Sequence, residues 1–286
     1  MENNKGYYKG KNAVVTGSAS GVGLALCEEL LAQGAGKVVL SDINLERLEK
    51  EKERLSQKYP GQVGGFLCDV SREQDVHRMI DDALGFMDGR LDLLINNAGL
   101  ALGGMFAATD DSSQIARQFN IKVQSNEAWQ HAFAVNFYGA LYGCREAIRV
   151  MLPQGGGQVI NIISGIAFSP MAYQSMYAAT KAALNMLTLT LRYEYWENGI
   201  KFNSATPGTT QTPIWQNVGG APDSAQPPQQ SAQRVLREAA QNRRLILGDD
   251  ADADGAAHCF DPNVAEALDK YFLNVARSRK SGKMVV

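Results

Sequence analysis

The sequence predicts a doubly wound α/β fold, a parallel sheet between two layers of helices (α/β/α). Three observations predict it. Short apolar, β-branched runs alternate with longer helical patterns from residue 11 to about 206. Runs such as VINII at 159–163 are apolar nearly throughout, as strands buried on both faces require, whereas a half-wet sheet would alternate. A glycine-rich turn at 16–23 joins the first apolar run to the first helical pattern.

In chain order, strands are expected at 12–16 (NAVVT), 37–41 (KVVLS), 64–68 (GGFLC), 91–96 (LDLLIN), 158–163 (QVINII) and 201–205 (KFNSA). Helices are expected near 22–33, 44–58, 72–86, 126–152 and 176–198. Two stretches break the rhythm. Residues 100–125 make a long connection after the fourth strand, and 209–256 read as a loop rich in Gln, Pro, Ala and Gly. Only one more helix, 262–278, follows, so the expectation is a single domain over 1–286.

Composition narrows the class. A net charge of −2 gives no electrostatic case for nucleic acid or an anionic membrane. No apolar run is long enough to span a bilayer, and 1–10 (MENNKGYYKG) lacks the apolar stretch of a signal peptide. Cys27, Cys68, Cys144 and Cys259 are scattered, which points to reduced thiols, and His77, His131 and His258 share no metal-ligand spacing. The expectation is a reduced, cytoplasmic protein with no membrane segment and no metal.

Chemistry concentrates in three places. Tyr177 and Lys181, four apart, share one helix face, where a nearby ammonium favours the phenolate and brings the tyrosine within reach of acid/base work. The turn Thr16-Gly17-Ser18-Ala19-Ser20-Gly21-Val22-Gly23 has the strand–turn–helix context in which backbone approaches a pyrophosphate at a helix N-terminus. Asp42 lies nineteen residues beyond Gly23, where a carboxylate bonds the adenosine ribose hydroxyls and repels a 2′-phosphate. No Arg or Lys stands at 18–20 or 43–44 to bind such a phosphate, so NAD is expected rather than NADP.

These residues resemble the short-chain dehydrogenase/reductase family, in its compact single-domain branch with a Rossmann fold. The likeness covers about 11–212 and rests on TGxxxGxG at 16–23, Asp69-Val70, NNAG at 96–99 and Asn136 in VNFYG. Ser164 follows, thirteen residues before Tyr177, then YxxxK at 177–181 and Pro207-Gly208. The resemblance implies that Tyr177 is the acid/base, that Lys181 binds the nicotinamide ribose and lowers the tyrosine pKa, and that Ser164 bonds the substrate oxygen. It implies that Asn136 holds a water linking the lysine to solvent. It also implies cofactor contacts at Gly17, Ser20, Gly21, Val22, Gly23, Asp42, Asp69, Val70, Asn96, Ala98, Gly99, Pro207, Gly208, Thr210 and Thr212, besides Tyr177 and Lys181.

The chain departs from the family pattern in the forty residues between Asn96 and Asn136, a longer interval that places extra chain at 100–125 on the active-site side of the sheet. The segment after Thr212 corresponds to the family's substrate loop. Ile214, Trp215, Val218, Met105, Phe106, Phe168, Met171, Ala172 and Tyr173 suggest an apolar pocket for a bulky alcohol or ketone, a hydroxysteroid first. Cyclic diols, polyols and acyl-chain ketones are the alternatives, and a non-catalytic NAD-binding sensor is the competing class. The resemblance implies a homodimer or homotetramer formed through helix 126–152 and the catalytic helix. The small-residue faces Ala132/Val135/Gly139/Gly143 and Ala183/Met186/Leu187/Thr190 permit such close packing, and core burial against the sheet explains part of the pattern equally well.

Overall fold

The computed structural model describes residues 6–109, 122–213 and 221–280. Among them run β1 (Ala13–Thr16), α1 (Gly21–Ala32), β2 (Val38–Asp42), α2 (Leu45–Lys58), β3 (Val63–Leu67), α3 (Glu73–Phe86) and β4 (Leu93–Asn96). Next come α4 (Asn126–Phe133), a π turn (Ala134–Tyr138), α5 (Gly139–Met151), β5 (Gly157–Ile162), a 3₁₀ turn (Gly165–Ala167) and α6 (Ser175–Glu194). The chain closes with β6 (Ile200–Ala205), α7 (Pro228–Ala240), β7 (Leu245–Ile246), α8 (Asp250–His258) and α9 (Ala265–Lys280).

All seven strands are parallel, in the order β3-β2-β1-β4-β5-β6-β7. The order reverses between β1 and β4, which opens a crevice at the strands' C-terminal ends. Successive residues of each strand face opposite layers. Val15, Leu40, Ile95 and Ile160 pack with Leu26 and Leu30 of α1 and with Val235 and Leu236 of α7. Val14, Val39, Leu94, Val159 and Phe202 pack with Met79 and Ile80 of α3 and with Ala147 and Met151 of α5. Each fully buried Leu or Ile contributes roughly 1.5–3 kcal/mol before its ordering cost, so both layers hold the sheet.

Helix ends follow local chemistry. Asn44 caps α2, its side chain accepting from the Arg47 N–H at 2.9 Å. Asp249 caps α8 by accepting from the Asp252 N–H at 2.9 Å, and Asp250 and Asp252 stand in the first turn, where the helix dipole favours anions. Beneath the crevice a buried polar ladder ties sheet to helix: Asn96 Nδ2 donates to Asn161 Oδ1 at 2.8 Å, and Asn161 Nδ2 to Thr188 Oγ1 of α6 at 2.8 Å.

The six expected strands and five expected helices form, with ends within a few residues of those expected. Three readings need correction. The stretch 209–256 is not a continuous loop, because it contains α7, β7 and α8. Helix α7 opens at Pro228 and buries Ala232, Val235, Leu236 and Ala239 against α1, a periodic stripe hidden by the Gln-rich composition around it. The face Ala132/Gly139/Gly143 is core rather than interface, since Gly139 meets Val70 and Gly143 meets Asn96, leaving no room for a Cβ. The long helix expected at 126–152 is interrupted by the π turn that carries Asn136. Ile214, Trp215, Val218, residues 110–121 of the 100–125 connection and the last six residues lie outside the described residues. Among the described residues no helix is long and apolar enough to cross a membrane.

Candidate active site

The glycine turn closes on β4's exit. Gly17 has φ 63°, and a Cβ there would lie 2.7 Å from Ala98 Cα, so this position accepts only glycine. A Cβ on Gly23 would strike Gly17 O and lie 2.5 Å from Asn97 Nδ2. Asn97 locks the turn, donating from Nδ2 to the Thr16 and Gly17 carbonyls at 3.0 Å each, while Thr16 Oγ1 accepts from the Asn97 and Ala98 N–H groups at 3.1 Å. No side chain caps α1: Ser20 makes no capping bond, and the first turn holds no acidic residue. Asp42 braces the turn from β2, with Oδ2 accepting from Ala19 N at 3.0 Å and Oδ1 from Asn44 N at 3.0 Å. A Cβ-free cradle, an uncapped helix N-terminus and a carboxylate at the end of β2 fit a dinucleotide's pyrophosphate and adenosine ribose.

Other expected cofactor residues fall in varied places. Thr212 lies over the first turn of α1, its Cβ 3.3 Å from where a Gly21 Cβ would sit. Thr210 Oγ1 donates to the carbonyls of Pro207 and Gly208 at 3.0 Å each. Asp69 accepts from the Ser71 N–H and hydroxyl at 3.0 and 2.7 Å, and Val70 is buried against Gly139. Asn96, expected to border the cofactor, instead turns its side chain inward to Asn161 and the Ala140 carbonyl.

Four residues meet beside this turn. Lys181 is 3% exposed, and its ammonium donates to Ile162 O at 2.9 Å. Its Nζ stands 5.8 Å from the Tyr177 ring centroid. Gly99 sits where Asn136 and Lys181 meet, since a Cβ there would lie 3.3 Å from Asn136 Oδ1 and 3.4 Å from Lys181 Nζ. Asn136 Oδ1 accepts from Leu100 N at 2.7 Å, and its Nδ2 donates to Leu100 O at 2.9 Å and to Thr180 Oγ1 at 3.1 Å. Thr180 in turn donates to Tyr177 O at 2.8 Å, so Asn136 ties the π turn to the tyrosine's own backbone. Ser164 caps the 3₁₀ turn, accepting from Ile166 N at 3.4 Å, and its hydroxyl pulls the Tyr177 phenol's pKa down.

The expected electrostatics are reversed in the protein alone. Burial pushes Tyr177 up to about 12 against the pull of Ser164, with the negative charge of Asp252 adding to the rise. Burial lowers Lys181 to about 8. Desolvation favours the neutral form of both groups, and here it outweighs the phenol–ammonium attraction read from spacing alone.

The pocket wall is also rearranged. Phe106 is 71% exposed and meets Trp129 edge to face at 5.9 Å, whereas Met105 is buried. Phe168, like Phe137 and Leu187, packs against the core cluster of Ala140, Ile163 and Leu184. Tyr173 has φ 63°, an uncommon conformation for a bulky residue, and its carbonyl accepts from Gly104 N at 2.7 Å. Sequence reasoning missed Asn97, Thr180 and Asp252. Asn97 lay inside a motif already noticed, whereas nothing in the run 249–255 distinguished Asp252 from a solvated acidic stretch.

The crevice, the cradle and the four clustered side chains define a nucleotide-binding oxidoreductase of the Rossmann class. Residues 11–222 match the sequence profile of the short chain dehydrogenase family, and the chain belongs to that family, whose members use a nicotinamide cofactor. It is 35% identical over 207 residues to 3beta-hydroxysteroid dehydrogenase 1 of Eggerthella lenta, covering 72% of this chain and 73% of that protein. Among solved structures it resembles a 7 alpha-hydroxysteroid dehydrogenase complexed with NADH and 7-oxo glycochenodeoxycholic acid. That likeness has a TM-score of 0.74 and 24% identity, over 86% and 96% of the two chains. An NADPH-dependent 3-quinuclidinone reductase from Rhodotorula rubra matches with a TM-score of 0.72 and 24% identity, over 88% and 96%. At these identities both structures attest the fold.

Proposed function

We propose that this oxidoreductase interconverts a secondary alcohol and a ketone with NAD(H), on a hydrophobic substrate of the hydroxysteroid kind. The observation that carries the reading is the buried Lys181, its Nζ 5.8 Å from the Tyr177 ring, with Ser164 acting on the same phenol. A bound nicotinamide supplies the hydride acceptor in oxidation and the hydride donor in reduction. The residues of the chain do the rest. The N–H groups at the start of α1 hold the pyrophosphate, and the Asp42 carboxylate takes the adenosine ribose and disfavours a 2′-phosphate.

Tyr177 accepts the hydroxyl proton in oxidation and returns one in reduction, while Ser164 donates to the substrate oxygen where charge develops. Lys181 orients the nicotinamide ribose, and Asn136 keeps α6 in register beneath the tyrosine. The likeness to a 3beta-hydroxysteroid dehydrogenase supports the substrate class. Buried free thiols at Cys27, Cys68 and Cys144 support a reducing cytoplasm. The open groove on α6 at Met186, Leu189, Thr190, Tyr193 and Glu194 supports a homodimer or homotetramer.

The test is NADH formation, followed by absorbance over steroids, cyclic alcohols, polyols and β-hydroxy esters. The reading predicts turnover with a hydroxysteroid and NAD, with NADP a poorer partner. Turnover only with polyols or only with NADP would contradict it, and NAD binding with no turnover would favour a sensor.

A further inference from the structure

Behind the Ser164 turn the first turn of α8 approaches the catalytic loops unusually closely. A Cβ on Gly165 would fall well inside contact distance of Asp252 Oδ1 and 2.8 Å from its Cγ, so the carboxylate occupies the space a side chain would fill beside Ser164. The same closeness recurs around it. A Cβ on Gly208 would lie 2.8 Å from Asp249 Oδ2, one on Gly248 would strike Gly208 N, and one on Gly255 would strike Ser169 Oγ. Asp249 Oδ2 also accepts from Thr209 N at 2.7 Å, which fixes α8 against the loop after β6.

Asp252 is the ionisable group at the centre of this seam. Burial raises its carboxyl to about 6, and the neighbouring charge of Asp249 adds to that rise. The Thr206 hydroxyl and the N–H groups of Gly208 and Gly248 draw it back down. Oδ2 is buried with no hydrogen-bond partner among the described residues.

The charged and titratable groups around it are few. The cap of its own helix is Asp249, and from α6 Tyr177 feels its charge. From α7, Arg234 donates to Gly248 O at 2.7 Å.

We propose that Asp252 is a positioning residue of the catalytic centre: its carboxylate braces the Ser164–Gly165 turn and sets a negative charge beside Tyr177, holding that phenol in its proton-donating form. The inference rests on Tyr177 as the acid/base. The sign follows from the geometry. An anion beside a phenol disfavours the phenolate, so Asp252, ionised above about 6, raises the pH at which Tyr177 becomes a base for alcohol oxidation.

The experiment is the pH profile of kcat/KM for alcohol oxidation by the NAD holoenzyme, in the parent and in Asp252→Asn, with Tyr177→Phe as background. Asp252→Asn moves the limb on which oxidation rises to lower pH, so that at a fixed pH on that limb the rate, relative to its own plateau, increases about three- to tenfold. Asp252→Glu, which keeps the charge, leaves the limb in place. A limb unmoved in Asp252→Asn, or a rate lowered by one factor at every pH, overturns the proposal. Should Asp252→Asn not fold, Gly165→Ala, whose methyl evicts the carboxylate, must shift the limb the same way, and an unmoved limb there overturns it equally. Near-normal turnover in Tyr177→Phe would instead undo the acid/base reading on which the inference stands.

Discussion

Two seams of close backbone approach build this molecule's working face. At the first, Gly17 and Gly23 let β1's exit and α1 close against Ala98 and Asn97. At the second, Gly165, Gly208, Gly248 and Gly255 let α8 close behind the Ser164 turn. Both exclude side chains, yet they leave opposite electrostatics. The first ends in uncapped N–H groups that suit an anion, and the second seats a carboxylate next to a phenol. On our proposals the first seam binds the cofactor and the second sets the state of a proton.

Of the two seams, breaking the first should have the larger effect. Gly23→Ala drives a methyl into Gly17 O, and overpacking of this kind costs about 1–3 kcal/mol. NADH affinity, read by fluorescence titration, should fall roughly ten- to hundredfold. An unchanged affinity would remove the turn from the cofactor site. Breaking the second seam with Gly165→Ala should lower kcat by about tenfold with NADH affinity intact, since displacement at the reacting groups is costly while the cradle is untouched. Loss of cofactor binding in that variant would erase the distinction between the seams.

The smallest effect is on stability. Lys181 is buried with its proton affinity lowered to about 8 against an ordinary 10.5, so the folded state binds fewer protons than the unfolded one. Its burial penalty is therefore full below pH 8 and fades as pH rises toward 10.5. Lys181→Met should melt higher than the parent at pH 7, with the gap narrowing by pH 10 while turnover is lost. A lower melting temperature at pH 7 would mean that the bond to Ile162 O outweighs desolvation.

What could be read in advance follows the same division. The first seam is one local turn, so its spacing lies open in the chain, as do Asp42 at a strand end and Tyr177 and Lys181 on one helix face. The second assembles glycines from residues 165 to 255, and no periodicity marks positions that only tertiary contact brings together. The inward turn of the Asn96 side chain has a local reason that the motif does not display. Adjacent residues of an extended segment face opposite ways, so Asn96 turns to α5's layer and Asn97 to the cradle. The Tyr177 shift went unread because helix spacing reports the charge partner but not the burial. Helix α7 was hidden by its composition, although Ala232, Val235, Leu236 and Ala239 keep helical spacing.

The central claim is that Tyr177 moves the substrate's proton while the cradle at Gly17–Gly23 separately holds the cofactor. Tyr177→Phe tests it most directly, with NADH-linked turnover of the best hydroxysteroid and NADH affinity measured on one preparation. The account predicts turnover reduced by about a thousandfold with affinity unchanged. Near-normal turnover in the phenylalanine variant would contradict it.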